Sequence, residues 1–312
     1  MRVSAACIGV IASAVALTAC GDSTGPGSAP SAVERMNTEM GAVRAKLIAN
    51  LDAADDVGLV AATLDTLPWP PVPPDLVGAT LEWDAEAAAY VESAGAGPAG
   101  DALRFLVYDR SVDPIVEAGQ ADLRDLDGGD GGSLARYELH LEKHAIERLV
   151  YEVGFGPGEE SGSSTFHAAG RLAGSSETVV FDVKQVEAPD AAGFRVDLDF
   201  VIELTGRSAS VELDYTLFLS FFEPAASFVA TYRSEVGTMV VAFVQDAANA
   251  IEGEVRLDDV PIMTITDEGG EPVFRGLAGE TLPQAEAAAM RILLRFALDG
   301  FGFLLPYLVV PE

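Results

Sequence analysis

The sequence predicts a mainly β, α+β protein: one large curved antiparallel sheet of long meandering strands, packed by a helix near each end of the folded part. Three observations predict this. From Thr80 to about residue 275, apolar side chains recur at every second position. The alternate positions are rich in Asp, Glu and Arg, so each strand offers one face to a core and one to water. Apolar residues at helical spacing are concentrated before and after that stretch.

The folded part begins at Ser31. Ser31-Ala32-Val33-Glu34 makes a capping box, and Val33, Met36, Met40, Val43, Leu47 and Leu51 give the following helix one apolar face. Residues 53–66 are expected to add a second, shorter helix. The stretch 67–78 cannot continue it, because Pro70, Pro71, Pro73 and Pro74 fix an extended path, and it reads as a crossing segment. A proline-rich docking peptide is the alternative, although such peptides lie mostly in free tails.

The clearest strands lie mid-chain. Phe194, Val196, Leu198, Phe200, Ile202 and Leu204 alternate with Arg195, Asp197, Asp199 and Glu203. After Gly206-Arg207-Ser208, Val211, Leu213, Tyr215, Leu217, Leu219 and Phe221 alternate with Glu212, Asp214, Thr216 and Ser220. These are two long strands of an antiparallel hairpin. The same period marks Val179, Phe181 and Val183, then Phe228, Ala230 and Tyr232, then Ile251, Gly253, Val255 and Leu257. Shorter strands are expected at 79–84, 102–109, 135–142, 147–155, 164–172, 237–245 and 261–266, all within a sheet spanning 79–275. An outer-membrane barrel would turn the apolar face to lipid and the polar face to a lumen, with aromatic girdles at the strand ends. The acidic face here reads better as the wet outside. Burying the hairpin's apolar side chains is worth on the order of 18–36 kcal/mol before entropy, so something must cover them.

The C-terminal cover is a helix at 281–299. Thr281-Leu282-Pro283-Gln284 reads as its capping box, Met290, Leu293, Leu294 and Ala297 as its apolar stripe, and Gly300 as its left-handed cap. The apolar tail 303–310 is too short to span a membrane, and Pro306 suits an edge position under the sheet. Residues 33–312 thus form one β-rich domain.

Residues 1–19 combine Arg2, an apolar core from Ile8 to Leu17, and small residues ahead of a cysteine, the three parts of an export signal in order. The ending Leu17-Thr18-Ala19-Cys20 resembles the lipobox of bacterial lipoproteins. The resemblance implies cleavage before Cys20, a diacylglyceryl thioether on Cys20, and anchorage to the cell envelope. Gly21, where that family's sorting rule reads Asp as inner-membrane retention, implies the outer membrane, facing the periplasm. Cys7 lies inside the signal, so the mature chain has no intrachain disulfide. Residues 20–32 are rich in Gly, Ser and Pro and read as a flexible tether with a root-mean-square reach of about 19 Å. Loss of 1–19 removes one cation and no acid, leaving 18 Lys plus Arg against 49 Asp plus Glu, a net charge of −31. That charge repels nucleic acid and anionic headgroups; it reads as a solvated acidic surface that keeps an anchored protein from associating, with binding of cationic ligands or calcium and adaptation to a salty habitat as alternatives.

Catalytic signals are few. His140-Leu141-Glu142-Lys143-His144 has the histidine spacing of a zinc helix, but its Glu is misplaced and the surroundings read as a strand entering a turn. His167 stands alone. Asp122-Leu123-Arg124-Asp125-Leu126-Asp127-Gly128-Gly129-Asp130 is an acidic, glycine-rich loop, with Asp125, Asp127 and Asp130 as calcium candidates. Its spacing departs from the helix-loop-helix calcium pattern. Residues 154–164, with Glu159 and Glu160, read as a similar loop. A nucleophile elbow, a phosphate loop and a dinucleotide fingerprint are all lacking, so no cofactor and no enzyme activity are expected.

In element order the mature chain resembles curved-sheet lipid-binding lipoproteins and periplasmic lipoprotein carriers, which implies helices and a lipid held in the concave face. The expected function is a structural or binding lipoprotein: a fully packed core is the plainer reading of the long apolar strands, and a cavity holding an apolar small molecule or lipid is the other. A calcium-dependent interaction module and a hydrolase using dispersed carboxylates stay open as alternatives.

Overall fold

The alternation resolves into one open sheet of 15 strands with two long helices on one face. A computed structural model describes residues 30–54, 60, 74–87, 89–95, 97–98, 102–109, 116–127, 135–174, 177–190, 193–220, 225–246, 248 and 250–308. Helix α1 spans Ala32–Asp52. The first seven strands are β1 Thr80–Asp84, β2 Ala89–Glu92, β3 Ala102–Asp109, β4 Val116–Asp125, β5 Ala135–Lys143, β6 Ile146–Pro157 and β7 Ser164–Ala173. They are followed by β8 Thr178–Asp190, β9 Gly193–Leu204, β10 Ala209–Ser220 and β11 Ala225–Ser234. The last four are β12 Gly237–Gln245, β13 Ile251–Leu257, β14 Val260–Glu268 and β15 Glu271–Gly276. Helix α2, Gln284–Leu304, and a 3-10 turn, Leu305–Tyr307, close the described chain.

From β3 to β15 each strand pairs antiparallel with its neighbours in sequence. The exception is at one edge, where β1 pairs parallel with β3 and antiparallel with β2. The buried side chains of β5 to β11 fall on alternate residues, Leu139 and Leu141, Val179, Phe181 and Val183, Val211 and Leu213 among them, so one face carries the core.

α1 crosses the strands instead of following them. Its capping box forms, with Glu34 N–H donating to Ser31 Oγ at 3.2 Å and Ser31 N–H donating to Glu34 Oε2 at 2.7 Å. Met36 lies against Ser234 at the end of β11, and Asn50 Nδ2 donates to the carbonyls of Leu172 (3.1 Å) and Glu177 (3.2 Å) at the β7–β8 turn. The helix therefore runs over one end of the strands from β11 to β7, the end that holds the 205–208 and 234–237 turns. α2 lies beside it in the same direction: the fully buried Tyr232 of β11 donates its hydroxyl to the Leu293 carbonyl at 2.7 Å, and Gly300 sits over Phe200 and Ile202 of β9. The Arg44 guanidinium stands 5.5 Å from the centre of the Phe303 ring, joining the two helices.

Gly300 is not a cap. It is helical, with the chain continuing to Leu304, and a Cβ there would meet Phe200 Cε1 at 2.6 Å. The missing side chain lets helix and sheet approach, which the sequence motif alone presents as a stop signal. The capping box at Thr281 does not form either: Thr281 bridges to Arg275, and the Pro283 carbonyl accepts from Ala287 N–H at 3.0 Å. The tail reaches no strand edge within the described residues. Phe303 and Leu304 end α2, Pro306 lies in the 3-10 turn, and Leu304 and Leu308 are buried. Three strands escape the alternation: β2 is mostly exposed, β15 is short, and β4 carries Gly119 and a register shift opposite Val107/Tyr108. The expected helix at 53–66 and the crossing segment fall mostly outside the described residues; Val60 is helical and buried. Among the described residues no helix is long and apolar enough to cross a membrane.

Gly300 and Gly302 share a helix but differ in surroundings, since a Cβ at Gly302 would meet nothing within 4 Å. Gly302→Ala is expected to raise stability by up to about 1 kcal/mol through helix propensity. Gly300→Ala should lower it, because overpacking costs about 1–3 kcal/mol. Urea unfolding of both variants checks this, and an equal gain for the two would refute the close approach.

Candidate functional site: an apolar trough beside the helices

Because both helices cross near the same end of the strands, the apolar face of β9 and β10 continues beyond them. Phe200, Ile202, Val211 and Leu213 are buried beneath the helix pair. Further along, the same faces carry Phe194, Val196 and Leu198 on β9 opposite Leu219, Leu217 and Tyr215 on β10. Phe194 is 36% exposed and the other five are half-buried. They line a strip about 13 Å long, four residues at strand rise. This corrects the expectation that the whole hairpin face is sheltered.

Both flanks are built from the neighbouring strands. On β8, Gln185 and Glu187 stand opposite Leu198 and Val196, and Gln185 Nε2 donates to Glu187 Oε1 at 2.8 Å. On β11, Phe228 stands opposite Tyr215 and stacks on Phe243 of β12 with ring centres 4.7 Å apart. Beyond β8, Phe166 of β7 packs against Phe155 of β6 at 5.2 Å. On the curved sheet the strip is thus an apolar trough with a polar pair on its β8 side and buried aromatic rings beyond its margins.

Tyr215 is the polar group within it. Its hydroxyl is buried, has no hydrogen-bond partner among the described residues, and is pushed up to about 12 by burial. A buried hydroxyl without a partner carries the cost of its lost hydration. Such a group, set among apolar side chains, suits a ligand that is mostly hydrocarbon but carries a hydrogen-bonding atom. The alternation shows Tyr215 as one more apolar position; only the packing shows its hydroxyl unmet.

Behind the trough, the other face of the same two strands is acidic. Asp199 lies directly opposite Asp214. Burial, and then the Asp214 carboxylate, push the Asp199 carboxyl above its ordinary value of 3.8, while Lys184 acts the other way. Asp197 is held by Arg195 Nε (2.8 Å) and Thr216 Oγ1 (2.9 Å).

The other sequence candidates are scattered. His140 points from β5 toward Glu147, 3.4 Å away, whereas His144 sits in the β5–β6 turn at φ 54°. His167 on β7 is 3.0 Å from Asp182 on β8. Asp122 and Asp125 belong to β4, not to a loop: Asp122 takes a two-point bond from Arg104 at 2.7 and 2.8 Å, and Asp125 Oδ1 accepts from Asp127 N–H at 2.9 Å. Asp130 and Cys20 lie outside the described residues. Glu160 pairs with Arg195 at 2.9 Å. Among the described residues no group of three or more His, Cys, Asp or Glu side chains is placed to hold a metal ion. Set against protein-family models, curated proteins and solved structures, the chain matches none of them.

Two outcomes follow from this geometry. Tyr215→Phe should leave stability unchanged or raise it by up to about 1 kcal/mol, whereas Tyr232→Phe, which loses the bond to Leu293, should cost about 0.5–1.5 kcal/mol. Chemical unfolding compares them, and an equal loss would mean that Tyr215 is satisfied after all. For Asp199, a folded value above the unfolded one penalises the charged form, so stability falls as pH rises from 3.8 through the raised value. Asp199→Asn should therefore gain a few tenths of a kcal/mol at pH 7 and nothing below about pH 3.8; thermal melts at both pH values read the difference.

Proposed function

We propose that this protein is an exported, lipid-anchored binding protein whose trough takes the hydrocarbon chain of an amphiphile. The single observation carrying this is the trough itself: six apolar side chains left half-covered on the helix-bearing face, with the unmet hydroxyl of Tyr215 among them. A sheet used only as a scaffold gains by covering such side chains, each worth about 1.5–3 kcal/mol when fully buried. A ligand chain laid along β9 and β10 completes that burial. Anchorage through Cys20 is supported by the order Arg2, apolar core and Leu17-Thr18-Ala19-Cys20, and it places the trough within reach of lipid.

Native mass spectrometry of the full chain purified from membranes tests the binding. The expected spectrum contains a species heavier by one amphiphile than the acylated protein. Leu217→Glu, which puts a charge in the trough, should abolish that species and weaken uptake of a fluorescent fatty acid by about tenfold or more. No added mass, together with equal uptake by both proteins, would leave the sheet as a structural scaffold and end the binding proposal.

A further inference from the structure

The helix pair carries no net charge in a strongly acidic molecule. Of 19 cations and 49 acids in the chain, α1 and α2 hold five of each, leaving 14 cations and 44 acids elsewhere. The exposed residues of α1 and α2 include Arg35, Gly41, Ile48 and Asp52 on α1 and Arg291, Ile292 and Arg295 on α2, with Arg295 paired to Asp299 at 3.0 Å. Ile48 and Ile292 are 37% and 39% exposed. The opposite face of the sheet holds cross-strand carboxylates such as Asp199 and Asp214 and is set against any phosphate surface.

Chain geometry brings the same face to the anchor. Ten residues, and so eleven Cα-to-Cα steps, separate Cys20 from Ser31, the cap of α1. Even fully extended they span no more than about 40 Å. An attachment at the start of α1, a neutral face alongside it, and an acidic face turned away together define an orientation.

We propose that the outward side of the α1–α2 pair is the surface this protein lays against the phospholipid headgroups of its own membrane. The trough lies on the same side of the sheet, so it opens toward the bilayer and an acyl chain enters it without passing the acidic face. This rests on the lipid anchor at Cys20 proposed above.

The test uses the full chain matured in cells and reconstituted into vesicles of phosphatidylethanolamine and phosphatidylglycerol. With Cys20 acylated, Ile48→Cys, Ile292→Cys and Val244→Cys each carry a single free thiol; Val244 lies on the acidic side of β12 and is 54% exposed. Reaction with a bulky polyethylene-glycol maleimide is compared in vesicles and in detergent. The expected result is a fall of about tenfold or more at 48 and 292 in vesicles, and a change under about twofold at 244. Adding Arg35→Glu, Arg291→Glu and Arg295→Glu together should restore the rates at 48 and 292. Equal rates at all three positions with Cys20 acylated would overturn the orientation alone. A reactive Cys20 thiol in every variant, with no acyl mass, would overturn the anchor and the orientation with it.

Discussion

Fifteen strands in one open sheet produce an apolar face larger than the two long helices among the described residues cover, and the arrangement of this protein follows from that mismatch. The helices lie side by side across one end of the strands. The closeness of α2 to β9 depends on Gly300 over the Phe200 ring, where a Cβ would meet the ring at 2.6 Å. Tyr232, reaching the Leu293 carbonyl from β11, and Asn50, bonded to two carbonyls of the β7–β8 turn, set the helices along and across the strands. What these contacts cover is a packed core. What they leave half-covered is the strip from Phe194 to Leu198 and its partners on β10.

Charge follows the same division. The cations on the outer face are mostly committed to neighbouring carboxylates, as in Arg104–Asp122, Arg171–Glu147 and Arg233–Glu212. The more exposed of these pairs contribute little stability, unlike the half-buried two-point Arg104–Asp122 bond, but together they leave like charges facing each other elsewhere, as at Asp199 and Asp214. The excess negative charge therefore gathers on the side away from the helices. A one-sided charge distribution of this kind lowers the electrostatic cost of bringing the helix side, and not the acidic side, near an anionic surface.

Much of the architecture is legible in the residues because a period of two and a period of 3.6 depend only on neighbouring positions. The β9–β10 hairpin, its turn at 205–208 and the capping box at Ser31 are local patterns, and each forms as the spacing indicates. β4 is hidden because Gly119 and a register shift break its alternation, and its Asp122, Arg124 and Asp125 resemble the acidic loop that follows. Gly300 misleads for a related reason: the same residue serves a left-handed cap or a close approach, and only the partner across the gap decides which.

The sequence by itself determined the two-faced strands, the helix at each end, the acidic surface and the export-signal pattern, since each follows from composition or short-range spacing. Tertiary structure alone decided where the helices cross, and therefore which apolar side chains are buried and which are left in the trough. Alternation states which face of a strand avoids water, but not what covers it. That cover comes from residues roughly a hundred positions away, and Phe200 and Leu217, alike in pattern, differ in shelter only because α2 lies over one of them.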